Sequence, residues 1–159
     1  MSLSKKQLAP SSPDGVVAGL AKITKQITTK STKSRGDAAE ALALAYLRQR
    51  GLRLIQANYR TPGRGGGEVD LIMRAPDGTL VFLEVRQRAS ASHGGAGASI
   101  TAAKQRKIIF AARHYLMRLA NPPPCRFDAL LIHGTPLAGA SPEDCGACIE
   151  WLPAAFDAF

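Results

Sequence analysis

Residues 68–88 read EVDLIMR-APDG-TLVFLEVRQR, and the fold is decided there. Ala75-Pro76-Asp77-Gly78 is a turn signal: proline presets φ, aspartate bonds to nearby backbone, and glycine accepts a left-handed position. On either side, Glu68–Arg74 and Thr79–Arg88 are rich in Val, Leu, Ile and Phe, which predicts an antiparallel hairpin. Alternation puts Asp70 and Ile72 on one face of the first strand and Val69, Leu71 and Met73 on the other. On the second strand Phe82, Glu84, Arg86 and Arg88 share a face opposite Val81, Leu83 and Val85. That strand is apolar enough to be central in a sheet, yet Glu84 interrupts its middle.

Upstream, Leu52–Tyr59 predicts a short strand and Gly36–Gly51 a helix, with Asp37 at the positive end of the macrodipole and Gly51 as C-terminal cap. Glu40, Leu44 and Leu47 follow i, i+4, i+7, so Glu40 shares the apolar face. A carboxylate there is a misfit at the rim or a ligand pointing into a site. Thr61–Gly67 lacks the spacing of a phosphate-binding glycine motif and predicts a flexible hairpin tip.

Downstream, His93–Ala98 predicts a flexible loop and Thr101 an N-cap for a helix running to about Ala120. Ile108, Ala112, Tyr115 and Leu119 form its core stripe, Arg106, Arg113 and Arg118 fall outside it, and Lys104 and Gln105 lie near the core side at its start. Pro122–Pro124 stops it. Arg126–His133 and Cys148–Leu152 predict the last strands, with Gly134–Ala147 as a loop between them. The order α-β-β-β-α-β-β implies an α/β mixed sheet flanked by helices.

The 159 residues carry 21 Lys+Arg against 12 Asp+Glu, a formal charge of +9. Seven of the basic side chains and one acid lie in residues 1–35, so +6 of the +9 belongs to a Ser/Thr/Lys-rich arm. Such a segment predicts disorder, because it buries too little apolar surface to offset ordering entropy. Within it Val16, Leu20, Ile23 and Ile27 would suit a short amphipathic helix. The domain expectation is therefore an arm, 1–35, and a folded body, 36–159. No stretch approaches a membrane span or a secretory signal, and the 3 Cys argue for a reducing, cytoplasmic setting. Cys145-x-x-Cys148, with Cys125 and His133 upstream, lacks the second knuckle of a zinc site.

The hairpin register lets Asp70 lie across from or diagonal to Glu84, gathering two carboxylates and Arg86 on one buried face. Charges there are costly unless neutralised. A divalent cation with oxygen ligands, Mg²⁺ or Mn²⁺, would do so. An internal salt bridge from Arg86 to Glu84 or Asp70 is the competing account.

Gly67-Glu68-Val69-Asp70-Leu71-Ile72 followed by Val81-Phe82-Leu83-Glu84-Val85-Arg86-Gln87-Arg88 resembles the PD-(D/E)XK nuclease motif. Further matching segments are Gly36-Asp37-Ala38-Ala39-Glu40, the Thr101–Lys107 helix start, Cys125-Arg126-Phe127-Asp128 and Ile149-Glu150-Trp151-Leu152. With these, about positions 36–156 resemble the YraN-type uncharacterised family of bacterial proteins, which has a restriction-endonuclease-like, Holliday-junction-resolvase-like fold.

The resemblance implies that Asp70 and Glu84 bind the metal ion and that Glu40 completes the site, directly or through water. Arg86 occupies the place usually held by a catalytic lysine. Arginine stays charged at any accessible pH, so Arg86 would clamp a phosphate and leave water activation to the ion. Lys104 or Gln105 matches the polar residue some relatives supply from the next helix. Arg64, Arg88, Lys104, Gln105, Arg106 and Lys107 are candidate DNA contacts.

The expected function is metal-dependent phosphodiester hydrolysis in structured or branched DNA. The rivals are a non-catalytic DNA-binding module and a protein adaptor on the same fold. Oligomeric state, a homodimer included, stays open.

Overall fold

A computed structural model describes residues 36–88, 100–134, 142–143 and 148–158. The arm 1–35, the His93–Ala98 loop, Cys145 and most of Gly134–Ala147 lie outside the described residues. The central turn closes as its residues dictate. Gly78 N–H donates to Ala75 O at 3.0 Å, Thr79 N–H to Asp77 Oδ1 at 2.9 Å, and Gly78 sits at φ 90°. The two strands of the hairpin are β2, Glu68–Arg74, and β3, Leu80–Arg88.

Around the hairpin stand helix α1 (36–49) and strand β1 (Arg53–Arg60) before it, then helix α2 (Ala102–Leu116), β4 (Cys125–His133) and β5 (Cys148–Phe156) after it. The strands form one five-stranded sheet in the order β1-β2-β3-β4-β5, antiparallel except for the parallel pair β3–β4. A parallel neighbour needs a crossover, and α2 supplies it. This mixed sheet between helices is consistent with the restriction-endonuclease-like fold.

Alternation along β3 divides the core. Val81 and Leu83 pack with Leu71, Met73, Leu130 and Ile132 under α1, through Ala39, Leu42, Ala43 and Leu47. Phe82 packs on the other side with Ile72, Phe127 and Ala129 under α2, through Ile108, Ala111 and Ala112. Phe82, Phe127 and Phe156 stack in series at centroid distances of 5.7 and 5.0 Å. Strand β3 is apolar on both faces because helices cover both, at about 1.5–3 kcal/mol for each large side chain fully buried.

Several sequence expectations shift. Val69 packs with Ile72 under α2, not with Leu71 and Met73. The β2–β3 ladder stops at Leu71↔Leu83, and strict alternation is lost one residue further along. The buried stripe of α1 is Ala39-Leu42-Ala43-Leu47, which places Glu40 half-buried at its flank.

Helix α2 ends at Leu116, well before the prolines, in a tight turn where Arg118 N–H donates to Tyr115 O and Leu119 N–H to Leu116 O. Strand β5 continues through Pro153 to Phe156, which an edge strand tolerates. Cys125 and His133 stand at opposite ends of β4, about 26 Å apart at 3.3 Å per residue, too far to share an ion.

The glycine loop is no free tip. Thr61 N–H donates to Gly67 O at 3.0 Å and Gly67 N–H to Thr61 Oγ1 at 2.8 Å. A Cβ on Gly67 would lie 2.0 Å from Lys107 O and 2.9 Å from Ala111 N, so only glycine lets the loop seat against the backbone of α2. Gly67→Ala should therefore destabilise by about 2–3 kcal/mol in urea unfolding. Gly36→Ala, with nothing within 4 Å of its added carbon, should be neutral or slightly stabilising.

Candidate functional site

The β1–β2 pairs Ala57↔Leu71 and Tyr59↔Val69 bracket Asn58 and Asp70, and one step past Leu71↔Leu83, the last β2–β3 pair, Glu84 falls into the same row across β1, β2 and β3. The sheet interrupts itself along that row. Val85 N–H donates not to a neighbouring carbonyl but to Asp70 Oδ2, at 2.8 Å. Aspartate suits the position because its short side chain reaches the backbone while keeping acceptor capacity on its second oxygen. Asn58 takes a left-handed conformation, φ 51°, which asparagine accepts more readily than most residues, and its Nδ2 donates to Glu40 Oε2 at 3.0 Å. Glu40 of α1 thus meets the β1 end of the row.

Glu84 is 3% exposed. Lys104 Nζ, from the first turn of α2, lies 3.0 Å from its Oε2, and Arg86 Nε lies 3.2 Å from its Oε1. Burial, then the nearby Asp70 charge, push the Glu84 pKa up to about 7, although Lys104 and Arg86 pull it down. Glu40 is raised too, first by burial; its bond from Asn58 opposes this and the charge of Asp70 adds to it. Two cations in ion-pair range therefore do not settle Glu84. Its Oε2, shut from solvent, is met by Lys104, whose charge and hydrogen bond both favour the carboxylate, and the buried Arg86 Nε faces its Oε1.

Asp128, on the adjacent strand, supplies the contrast. It is 0% exposed, and its carboxylate accepts from Arg126 Nε at 3.0 Å, Trp151 Nε1 at 3.1 Å and Ala154 N at 2.9 Å. That saturation marks a structural acid pinning the β5 bulge, where Ala154 turns to φ 49°. Glu84 is as deeply placed, but its partners are two cations, and burial beside Asp70 keeps its pKa raised in spite of them.

Asp70 and Glu84 present hard oxygen donors, which fit Mg²⁺ or Mn²⁺ with one or two carboxylates and several waters. Among the described residues no three His, Cys, Asp or Glu side chains are grouped closely enough to form a metal cage by themselves.

Of the other sequence-selected residues, Arg86 has a side chain 39% exposed, half in the site and half open. Gln105 Nε2 is tied to Ile100 O at 3.0 Å. Arg64 is exposed on the glycine loop, Arg106 and Lys107 are exposed on α2, and Arg88 is half-buried at the end of β3. Lys104 is engaged with Glu84. His114 hydrogen-bonds to the buried Tyr59 hydroxyl. Asn58 had no sequence signal beyond its tolerance of a left-handed backbone.

The family described as "Uncharacterised protein family UPF0102" matches residues 39–132, a span holding Glu40, Asp70, Glu84, Arg86 and Lys104. A curated relative named "UPF0102 protein" from Polaromonas naphthalenivorans is 66% identical over 158 residues, covering 99% of each chain. One of the same name from a Polaromonas species (strain JS666) is 61% identical over 158 residues, again 99% of each. Another, from Albidiferax ferrireducens, is 64% identical over 135 residues, 84% of this chain and 96% of its own.

The raised Glu84 pKa has a thermodynamic signature. Between about pH 4.5 and 7 the folded chain holds a proton on Glu84 that the unfolded chain has released, so its contribution to stability falls as pH rises. The unfolding free energy of wild type minus that of Glu84→Gln should decline across this window by up to roughly 1 kcal/mol per pH unit, then level off above it. Urea titrations of both proteins from pH 4 to 8.5 measure this.

Proposed function

The chain belongs to the uncharacterised protein family UPF0102, and from the geometry of its site we propose that it is a divalent-metal-dependent endonuclease acting on structured or branched DNA through Asp70 and Glu84. The observation that carries this reading is Glu84: a carboxylate 3% exposed in a central strand, its pKa raised by burial and by a second acid despite two adjacent cations. Mg²⁺ or Mn²⁺ would supply Lewis-acid charge and lower the pKa of a bound water.

The chain's own groups do the rest. Val85 N–H fixes one oxygen of Asp70 and so orients the other. Lys104 balances the Glu84 charge and keeps the site folded without an ion. The planar guanidinium fork of Arg86 suits the non-bridging oxygens of a scissile phosphate. Glu40, held by Asn58, adds negative potential at the rim. The branched-DNA preference rests on the Holliday-junction-resolvase-like resemblance, and the +9 charge favours a polyanion.

One observation favours a non-catalytic DNA-binding module instead. Arg86 stands in the usual lysine position, and both Glu84 oxygens already face cations, 3.2 and 3.0 Å away.

Cleavage of linear, flapped and four-way DNA with Mg²⁺ or Mn²⁺, together with calorimetric Mn²⁺ binding, separates the two readings. Asp70→Asn and Glu84→Gln should each abolish cleavage and weaken Mn²⁺ binding while DNA affinity survives within about 2-fold, since amides offer a dipole in place of a charge. Arg86→Lys should stay active with a changed pH profile, and Arg86→Ala should lose activity. Mn²⁺ affinity should fall about tenfold per pH unit below pH 7, because protons compete for Glu84. Wild type that cuts no DNA with either ion leaves the module reading in place.

A further inference from the structure

Helix α2 enters the site with Lys104 and carries beyond it a face that the core does not use. Ile108, Ala111 and Ala112 point inward, while Phe110 is 55% exposed and Met117 77% exposed. On a helix the surface neighbours of position 110 are 106, 107, 113 and 114. Here they are Arg106, Lys107, Arg113 and His114, and α2 contains no Asp or Glu anywhere in its length. Arg106, Lys107 and Arg113 are exposed, and among the described residues none of them takes part in an ion pair. His114 turns instead to Tyr59.

A solvated helix face gains from acid–base pairs at i, i+4, and α2 has no acid with which to form them. This face sets three cations around an open aromatic ring. The apolar ring excludes a purely ionic occupant, and the cations exclude a purely apolar one. A second copy of the chain fits poorly. In a two-fold contact this patch would meet itself and bring six cations together.

A single-stranded nucleic acid meets both demands, with phosphates for the cations and an unstacked base for the ring. Lys104 lies six residues before Phe110, about 9 Å along the axis at 1.5 Å per residue.

We propose that the outer face of α2 is a track for an unpaired nucleic-acid segment, with Phe110 stacking on a base and Arg106, Lys107 and Arg113 holding flanking phosphates. This rests on the nucleic-acid reading of the neighbouring site and extends it by assigning that substrate a single-stranded portion.

The test uses the full chain in EDTA, so that cleavage does not intervene, and fluorescence anisotropy with an oligothymidine strand and a duplex of equal length. Phe110→Ala should weaken single-strand binding between about 5- and 150-fold and change duplex binding less than about 2-fold. Phe110→Trp should restore it. Arg106→Gln and Arg113→Gln should each reduce the single-strand salt slope by about 0.7. Phe110 is exposed, so the variants should melt like wild type, which a thermal scan verifies.

Equal single-strand affinity for wild type and Phe110→Ala would overturn the inference. So would equal losses on single strand and duplex, no single-strand binding by wild type, or a wild-type dimer that Phe110→Ala dissolves. Ring-dependent binding without any cleavage would keep the track and defeat the nuclease reading. Asp70-dependent cleavage with an inert Phe110 would do the reverse.

Discussion

The bond from Val85 N–H to Asp70 Oδ2, 2.8 Å long, is the constraint on which the rest of the site depends. A backbone donor in a central strand must be satisfied, and here a side chain takes the place of a carbonyl. The substitution ends the β2–β3 ladder at Leu71↔Leu83 without leaving the donor unpaired. It also holds one carboxylate beside another, because Val85 follows Glu84 in the chain. The cost is visible in Glu84, whose pKa is raised by burial first and by Asp70 second. Backbone pairing between β2 and β3 gives way along this row to a concentration of charge.

The two helices enter this arrangement differently. Helix α1 contributes an apolar stripe to one face and reaches the row only through the bond from Asn58 to Glu40. Helix α2 is bound more closely, through its Ile108–Ala112 core face, the backbone approach at Gly67 and the Lys104–Glu84 ion pair. The close approach positions the ion pair. With Gly67 pressed against Lys107 O, the first turn of α2 is held against the sheet end where Glu84 lies. The glycine loop and the charged site are thus mechanically linked, although no side chain of the loop enters the site.

What was legible in the sequence was whatever local chemistry enforces. Ala75-Pro76-Asp77-Gly78 dictates its turn, Thr101 caps α2 by accepting from Lys104 N, and the alternation of β3 predicts which residues meet α1 and which meet α2. The pair Asp70 and Glu84 stood out because charged residues interrupt strands otherwise apolar. The illegible features are long-range. Val69 changes partners because the ladder ends beside it, and Glu40 slips to a flank because α1 docks on its small residues Ala39 and Ala43. Asn58 turns left-handed to meet a carboxylate 18 positions away. Gly67 read as a loose tip because nothing in Gly65-Gly66-Gly67 reveals that a helix 40 residues on will lie against it.

Glu84 and Asp128 show why burial alone does not identify a functional acid. They lie on neighbouring central strands, at 3% and 0% exposure, and each has an arginine two residues away in its own strand. Asp128 gains further donors from Trp151 and Ala154, so its charge is dispersed over hydrogen bonds that the fold itself provides. Glu84 is met instead by two cations, Lys104 at 3.0 Å and Arg86 at 3.2 Å, which lower the electrostatic cost of burial without cancelling it, since burial and the Asp70 charge still leave its pKa raised. The two acids thus share their depth and differ in their partners, and it is the partners that set how readily each takes up a proton.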